Sequence, residues 1–193
     1  MNRYSSAIMR SQIIIFASLS LLLLTGESAV WAASHSYQLN PDSSHIKFKG
    51  KSSLHEFDGE AKDAKATLIL EDDDMRLIEP TLLILPVSKL TTHNIQRDHE
   101  MQKMFNATKF SYIQFEAKEL SNNMIKGQLT IKGITREIDI PITMERAGNE
   151  WIIQGKILID IRDFDLSPPN VLGIIRVSPE VVIEFLTHWN QQD

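Results

Sequence analysis

Along most of the chain after Tyr37, apolar side chains recur at every second position, the spacing of strands with one face buried and one face wet. Ile46 and Phe48 alternate with Lys47 and Lys49. Ile113, Phe115 and Ala117 alternate with Gln114, Glu116 and Lys118. Ile125, Gly127, Leu129 and Ile131 share one face, and Lys126, Gln128, Thr130 and Lys132 take the other. Ile138, Ile140, Ile142 and Met144 oppose Glu137, Asp139, Thr143 and Glu145, and Val181, Ile183 and Phe185 flank Glu184. Such a chain must pair strand with strand, because a lone strand leaves its backbone N–H and C=O groups unsatisfied.

Turn residues separate the runs. Lys132-Gly133, Ala147-Gly148-Asn149 and Ser121-Asn122-Asn123 supply Gly and Asn, which tolerate the positive φ of tight hairpins. From Trp151 to Ile161, Ile153, Ile157, Ile159 and Ile161 share a face, and Leu158 on the other face predicts burial on both sides. Pro141 inside a strand pattern predicts an edge, a bulge or a closure point, since proline cannot donate to a ladder. A further extended stretch runs from Thr81 to Val87, broken by Pro86. Ile95, Met101, Met104 and Phe105 have helical spacing, with Asn94 as N-cap and Asn106 as the end. About eight strands, short turns and one short helix predict an antiparallel barrel, with a two-sheet sandwich as the alternative.

The N-terminus follows a different rule. Arg3 and Arg10 precede an apolar run from Ile13 to Leu24, and small residues follow up to Ala33. That order predicts a secretory signal peptide over residues 1–32, cut after Ala32 with Val30 at −3 and Ala32 at −1. The apolar run is short for a membrane span, which needs about 20 residues; an uncleaved anchor helix is the alternative. Residues 1–32 hold Arg3, Arg10 and Glu27, so their removal makes the chain more acidic than its formal net charge of −5. An acidic surface argues against a nucleic-acid partner. The absence of cysteine excludes a disulfide framework, a thiolate metal site, a cysteine nucleophile and an acylated lipoprotein cysteine.

Motifs that carry chemistry are sparse. His35, His45, His55, His93, His99 and His188 show no metal-ligand spacing. Glu71-Asp72-Asp73-Asp74 lacks the alternation and central Gly of a calcium loop and reads as a solvated turn. There is neither a G-x-S-x-G elbow nor a Gly-rich phosphate cradle. Met101, Met104 and Phe105 either cover an apolar cavity as an adaptable lid or fill the barrel end as core.

The order of these segments resembles the YceI-like, polyisoprenoid-binding family. The likeness begins at Tyr37-Gln38-Leu39-Asn40-Pro41-Asp42-Ser43-Ser44-His45-Ile46-Lys47-Phe48. It continues through Leu54-His55-Glu56-Phe57-Asp58-Gly59, Thr91-Thr92 and the Arg97-Asp98 helix, and Tyr112-Ile113-Gln114-Phe115. It is most specific at Ile125 to Ile138, which is similar to the family's Gly-x-Leu-Thr-x-x-Gly-x-Thr hairpin. A departure is Phe110-Ser111, where the family often has an aromatic followed by proline. The resemblance implies an all-β protein: an eight-stranded antiparallel lipocalin-like barrel over residues 33–193, with a short helix near its mouth. It implies an elongated apolar cavity, no cofactor, and an isoprenoid, quinone or fatty-acyl amphiphile as partner. A homodimer is compatible with it.

On that reading the barrel-facing candidates are Phe48, Phe115, Leu129, Ile131 and Ile140, continued by Ile142, Ile157, Ile159 and Ile183. Met101, Met104 and Phe105 form the lid, and Arg97, His99 or His55 meets a polar head group at the mouth. Arg97 has a competing role as an ion pair with Asp98 or Glu100. The expected function is an exported, periplasmic carrier that acts by partitioning, without catalysis; an extracellular destination is the other outcome of export. Two alternatives remain: a periplasmic enzyme acting on lipids or quinones, and a filled barrel that presents loops such as Glu71–Glu79 or Leu166–Gly173 to a protein.

Overall fold

The computed structural model describes residues 34–71, 76–121, 123–168, 170–171 and 175–192. The expected signal peptide, Asp72–Asp74 of the acidic run, Asn122 and parts of the two presented loops lie outside the described residues.

Each period-two run is a strand. The first group is β1 (Ser34–Leu39), β2 (His45–Lys51), β3 (Glu56–Ala61), β4 (Thr67–Glu71), β5 (Arg76–Leu77), β6 (Thr81–Pro86) and β7 (Leu90–Thr91). The helix α1 (Ile95–Phe105) follows. The second group is β8 (Tyr112–Ser121), β9 (Met124–Ile131), β10 (Ile134–Ala147), β11 (Glu150–Asp160), β12 (Asn170–Val171), β13 (Ile175–Arg176) and β14 (Glu180–Gln191). Lys132 and Gly133 both have positive φ, 52° and 77°, which matches the twist of the β9–β10 hairpin they join.

The main sheet runs β5-β4-β1-β14-β11-β10-β9-β8-β6, and every pairing is antiparallel. β14 pairs with β1 near its end (Leu39 opposite Trp189) and with β2 earlier (Phe48 opposite Ile183). β3 joins β2 to β7. β6, at one end of the path, meets the residues that lead into β4, where Lys65 N donates to Ile84 O (3.0 Å) and Ile84 N donates to Lys65 O (2.9 Å). The sheet therefore closes into a barrel. Its path holds nine strands where eight were expected. The extra one is the two-residue β5, which the chain lays beside β4 with Leu77 opposite Leu70 as it returns from the acidic turn.

Pro141 marks the place where β10 changes partner. β10 pairs with β9 up to Pro141 opposite Met124, and with β11 from Ile142 opposite Gly155. A residue without an N–H is tolerated at such a junction. The expectation for Leu158 needs correction: it is 58% exposed. Its side chain lies on the outer face of β11 next to Lys156, and that face is not covered. The outer wall is charged nearby as well. Glu184 sits between Lys49 (2.7 Å) and Lys156 (2.9 Å), whose hydrogen bonds lower its carboxyl to about 2.

The core forms on the inner side. Tyr37, Leu70, Val87, Phe164 and Leu166 are almost fully buried. Phe164 belongs to a short 3₁₀ turn, Ile161–Phe164, after β11, and Val87 to another, Val87–Lys89, after β6.

Candidate functional site

Alternation points one apolar face of every long strand at the barrel axis. The facing side chains do not fill the space and leave a cavity of about 160 Å³. β8, β9 and β10 supply Ile113, Phe115 and Ala117, then Ile125 and Leu129, then Ile138 and Ile140. β11 adds Ile153 and Ile157, and β14 adds Ile183, Phe185, Thr187 and Trp189. Ile46, Leu68 and Leu77 come from β2, β4 and β5, and Thr81, Leu83 and Leu85 from β6. No charged residue is among those that line it.

Two local features shape the wall. In β8 the register shifts between Ala117 and Glu119, so an extra residue is accommodated there. Such a bulge re-aims the side chains beyond it. Inward positions are odd before it (Ile113, Phe115, Ala117) and even after it (Leu120). Elsewhere rings lie flat across glycines. A Cβ on Gly127 would come within 2.8 Å of the Phe115 ring, and one on Gly155 within 2.6 Å of the Phe185 ring. Glycine is what allows those close approaches.

The two cavity threonines differ. Thr187 Oγ1 donates to Ile153 O and accepts from Trp189 Nε1, both at 3.0 Å. Thr81 is 5% exposed, and its hydroxyl has no hydrogen-bond partner.

Of the residues expected to line the cavity, Phe115, Leu129, Ile140, Ile157 and Ile183 are brought together in its wall. Ile131, Ile142 and Ile159 are buried in the core but are not among the lining residues. Phe48 is half-buried, with its ring against the Gly59 position. Sequence reasoning left out Leu68, Leu77, Thr81, Leu83 and Leu85 as wall residues. It placed Ile46, Ile113, Ile138, Ile153 and Phe185 on apolar strand faces without assigning them to the site.

The helix is built as its caps predict. Asn94 Oδ1 accepts from Arg97 N (3.0 Å), and Asn106 ends the helix in the left-handed region at φ 52°. Asp98 ties the helix to the strand before it, accepting from Thr91 Oγ1 (2.8 Å), Thr92 N (2.7 Å) and Thr92 Oγ1 (2.6 Å). Partial burial pushes the Asp98 carboxyl up, but the bonds from Thr92 and Thr91 outweigh it and hold the group below its ordinary value. Phe105 is buried, while Met101 and Met104 are half-buried against the core; none of the three lines the cavity. Arg97 lies with its guanidinium 4.9 Å from the Phe57 ring centre. His99 and His55 are exposed, and the His55 backbone closes the turn from Ser52. Arg97, His99 and His55 are not among the lining residues. Among the described residues no three His, Asp or Glu side chains converge as a metal site would require.

Among the described residues the architecture is a closed antiparallel barrel around a charge-free apolar cavity, with one α-helix packed beside it. Residues 37–188 match the YceI-like domain, and the chain belongs to that family. A UPF0312 protein of Staphylococcus aureus is 37% identical over 67 residues, 34% of this chain and 39% of the relative's own length. Among solved structures, BcnA of Burkholderia cenocepacia superposes with a TM-score of 0.68 at 17% identity, covering 78% of this chain and 98% of that one. A polyisoprenoid binding domain from Saccharophagus degradans, implicated in plant cell wall breakdown, gives a TM-score of 0.68 at 14% identity, covering 82% and 99%.

Proposed function

We propose that this chain is an exported lipid-binding protein that holds an isoprenoid or similar long-chain amphiphile in its barrel and works by partitioning, not by catalysis. The observation that carries the reading is the cavity wall, which is apolar from strand to strand and free of charge. Ile138, Ile157, Ile183 and Phe185 point inward yet are only half-buried, so they present apolar surface to whatever fills the cavity. Each CH₂ buried there contributes about 0.8 kcal/mol. The YceI-like family and the polyisoprenoid binding domain among the structural neighbours support the same reading. The leader-like residues 1–32 support a periplasmic destination.

Size sets a condition. A closed apolar cavity of about 150 Å³ accommodates benzene, and this one is about 160 Å³. It receives a short segment as it stands, so a long chain must push the wall side chains apart or extend beyond the barrel. The test is native mass spectrometry of the exported protein purified without detergent, followed by organic extraction. A stoichiometric added mass that extracts as a prenyl or acyl amphiphile is expected. A bare mass that stays bare after incubation with such amphiphiles overturns the reading. Ile140→Asp puts a carboxylate in the wall, and a folded variant is expected to lose the added mass; unchanged loading would remove Ile140 from the site.

A further inference from the structure

The hydrogen-bonded wall is interrupted between β10 and β11. The two strands pair from Ala147 opposite Glu150 only as far as Ile142 opposite Gly155. Past that rung β10 pairs with β9 alone and β11 with β14 alone. Among the described residues, 156–160 therefore form an edge of β11 that no strand pairs with. Beyond the end of β11, the 3₁₀ turn Ile161–Phe164 packs against β10, and Lys132 Nζ lies 2.9 Å from Asp165 Oδ2, which bounds the split. Both lips of the split belong to the cavity wall: Ile138 and Ile140 on β10, Ile157 on β11. Ile138 and Ile157 are only half-buried.

At this edge the barrel is apolar on both sides. Successive rungs of the β11–β14 ladder are Ile157 opposite Ile183 and Leu158 opposite Val182. The first pair lines the cavity. Neighbouring residues of a strand point to opposite faces, so the second pair faces out. Leu158 is exposed and Val182 half-buried, on an outer wall that is otherwise charged nearby. Those charges satisfy one another, Glu184 holding Lys49 at 2.7 Å and Lys156 at 2.9 Å. Between paired strands the next strand separates inner from outer surface; at an unpaired edge only the width of one backbone does.

We propose that this edge extends the lipid site: a hydrocarbon chain longer than the cavity passes between β10 and β11 and lays its outer segment on Leu158 and Val182. This rests on the lipid-binding reading above and says where the surplus length goes. The cavity of about 160 Å³ receives a short segment as it stands. The segment outside is hydrocarbon, because Leu158 and Val182 offer no side-chain hydrogen bond and are stabilised by leaving water. Chain length is then what the edge reads. A ligand short enough to stay inside never touches Leu158.

The experiment compares geraniol with geranylgeraniol, which share a head group and differ in chain length. Fluorescence of Trp189, which lines the cavity, reports binding of both. Leu158→Asp is expected to weaken geranylgeraniol about ten-fold and to leave geraniol unchanged. Unchanged geraniol binding also shows that the variant is folded. Leu158→Met, which keeps the apolar surface, is expected to bind both as the native protein does. If Leu158→Asp leaves geranylgeraniol binding unchanged, or weakens both ligands alike, the proposal is overturned while the lipid-binding reading stands. A native protein that binds geraniol but not geranylgeraniol overturns it in the same way. If the native protein binds neither, the lipid-binding reading falls and takes the proposal with it.

Discussion

An aromatic ring in a sheet needs a flat place to lie, and in this barrel glycines provide it. The Phe185 ring covers Gly155, its cross-strand neighbour, in a space where a Cβ would also stand 2.9 Å from the Pro141 carbonyl oxygen. Gly155→Ala is therefore expected to drive the ring into the cavity. Stability should fall by about 1–3 kcal/mol, measured by urea unfolding, and ligand capacity should fall with it. At this scale much of the site was legible. Strict alternation put Phe115, Leu129, Ile140, Ile157 and Ile183 on the apolar faces of their strands; only the structure shows that those faces point inward. Alternation could not tell that Ile131, Ile142 and Ile159, on apolar faces of the same strands, are buried outside the cavity wall. Period reports which face a residue is on, not how far along the axis the packing stays complete. Thr81 was silent because threonine suits either face of a strand.

The helix was legible from its two asparagines, which are capping residues for physical reasons: one accepts an orphan N–H and the other tolerates the left-handed region. Its attachment was not, because Asp98 reaches back to Thr91 and Thr92 through tertiary contacts. Those bonds go to the charged carboxylate, so their contribution depends on pH. The folded group lies below its ordinary value of 3.8. The contribution is thus complete above that value and is lost as pH falls through the lower folded value. Acid is expected to loosen α1 before the sheet. Asp98→Ala is expected to cost about 2 kcal/mol at neutral pH and to abolish this acid step, followed by near-ultraviolet circular dichroism against pH. The β4–β6 region was the least legible part of the sheet. Leu68-Ile69-Leu70 and Leu82-Leu83-Ile84-Leu85 are apolar on both faces, so alternation has nothing to alternate with. Leu82 is in fact 45% exposed, whereas Leu85 is 6% exposed. The bulge in β8 hid Leu120 by moving the inward side from odd to even positions.

At the scale of the whole molecule, the kind of strands followed from local pattern, but their number and the closure did not. The backbone exchange between Lys65 and Ile84 joins segments that no turn connects, and nothing in either segment alone names its partner. The sheet order carries a further consequence. β14 pairs with β1, β2 and β11, all of which precede it in sequence. A ribosome delivers the chain in one direction, so both early strands wait with an open edge until residues 180–191 have emerged. Before then β6-β8-β9-β10-β11 can pair as one piece and β1–β4 and β2–β3 as others, but nothing joins them through β14. A chain stopped before Glu180 is expected to remain protease-sensitive and to lack the cooperative thermal transition of the full protein. The barrel thus acts as its own checkpoint: only a chain that already includes residues 180–191 can seal it.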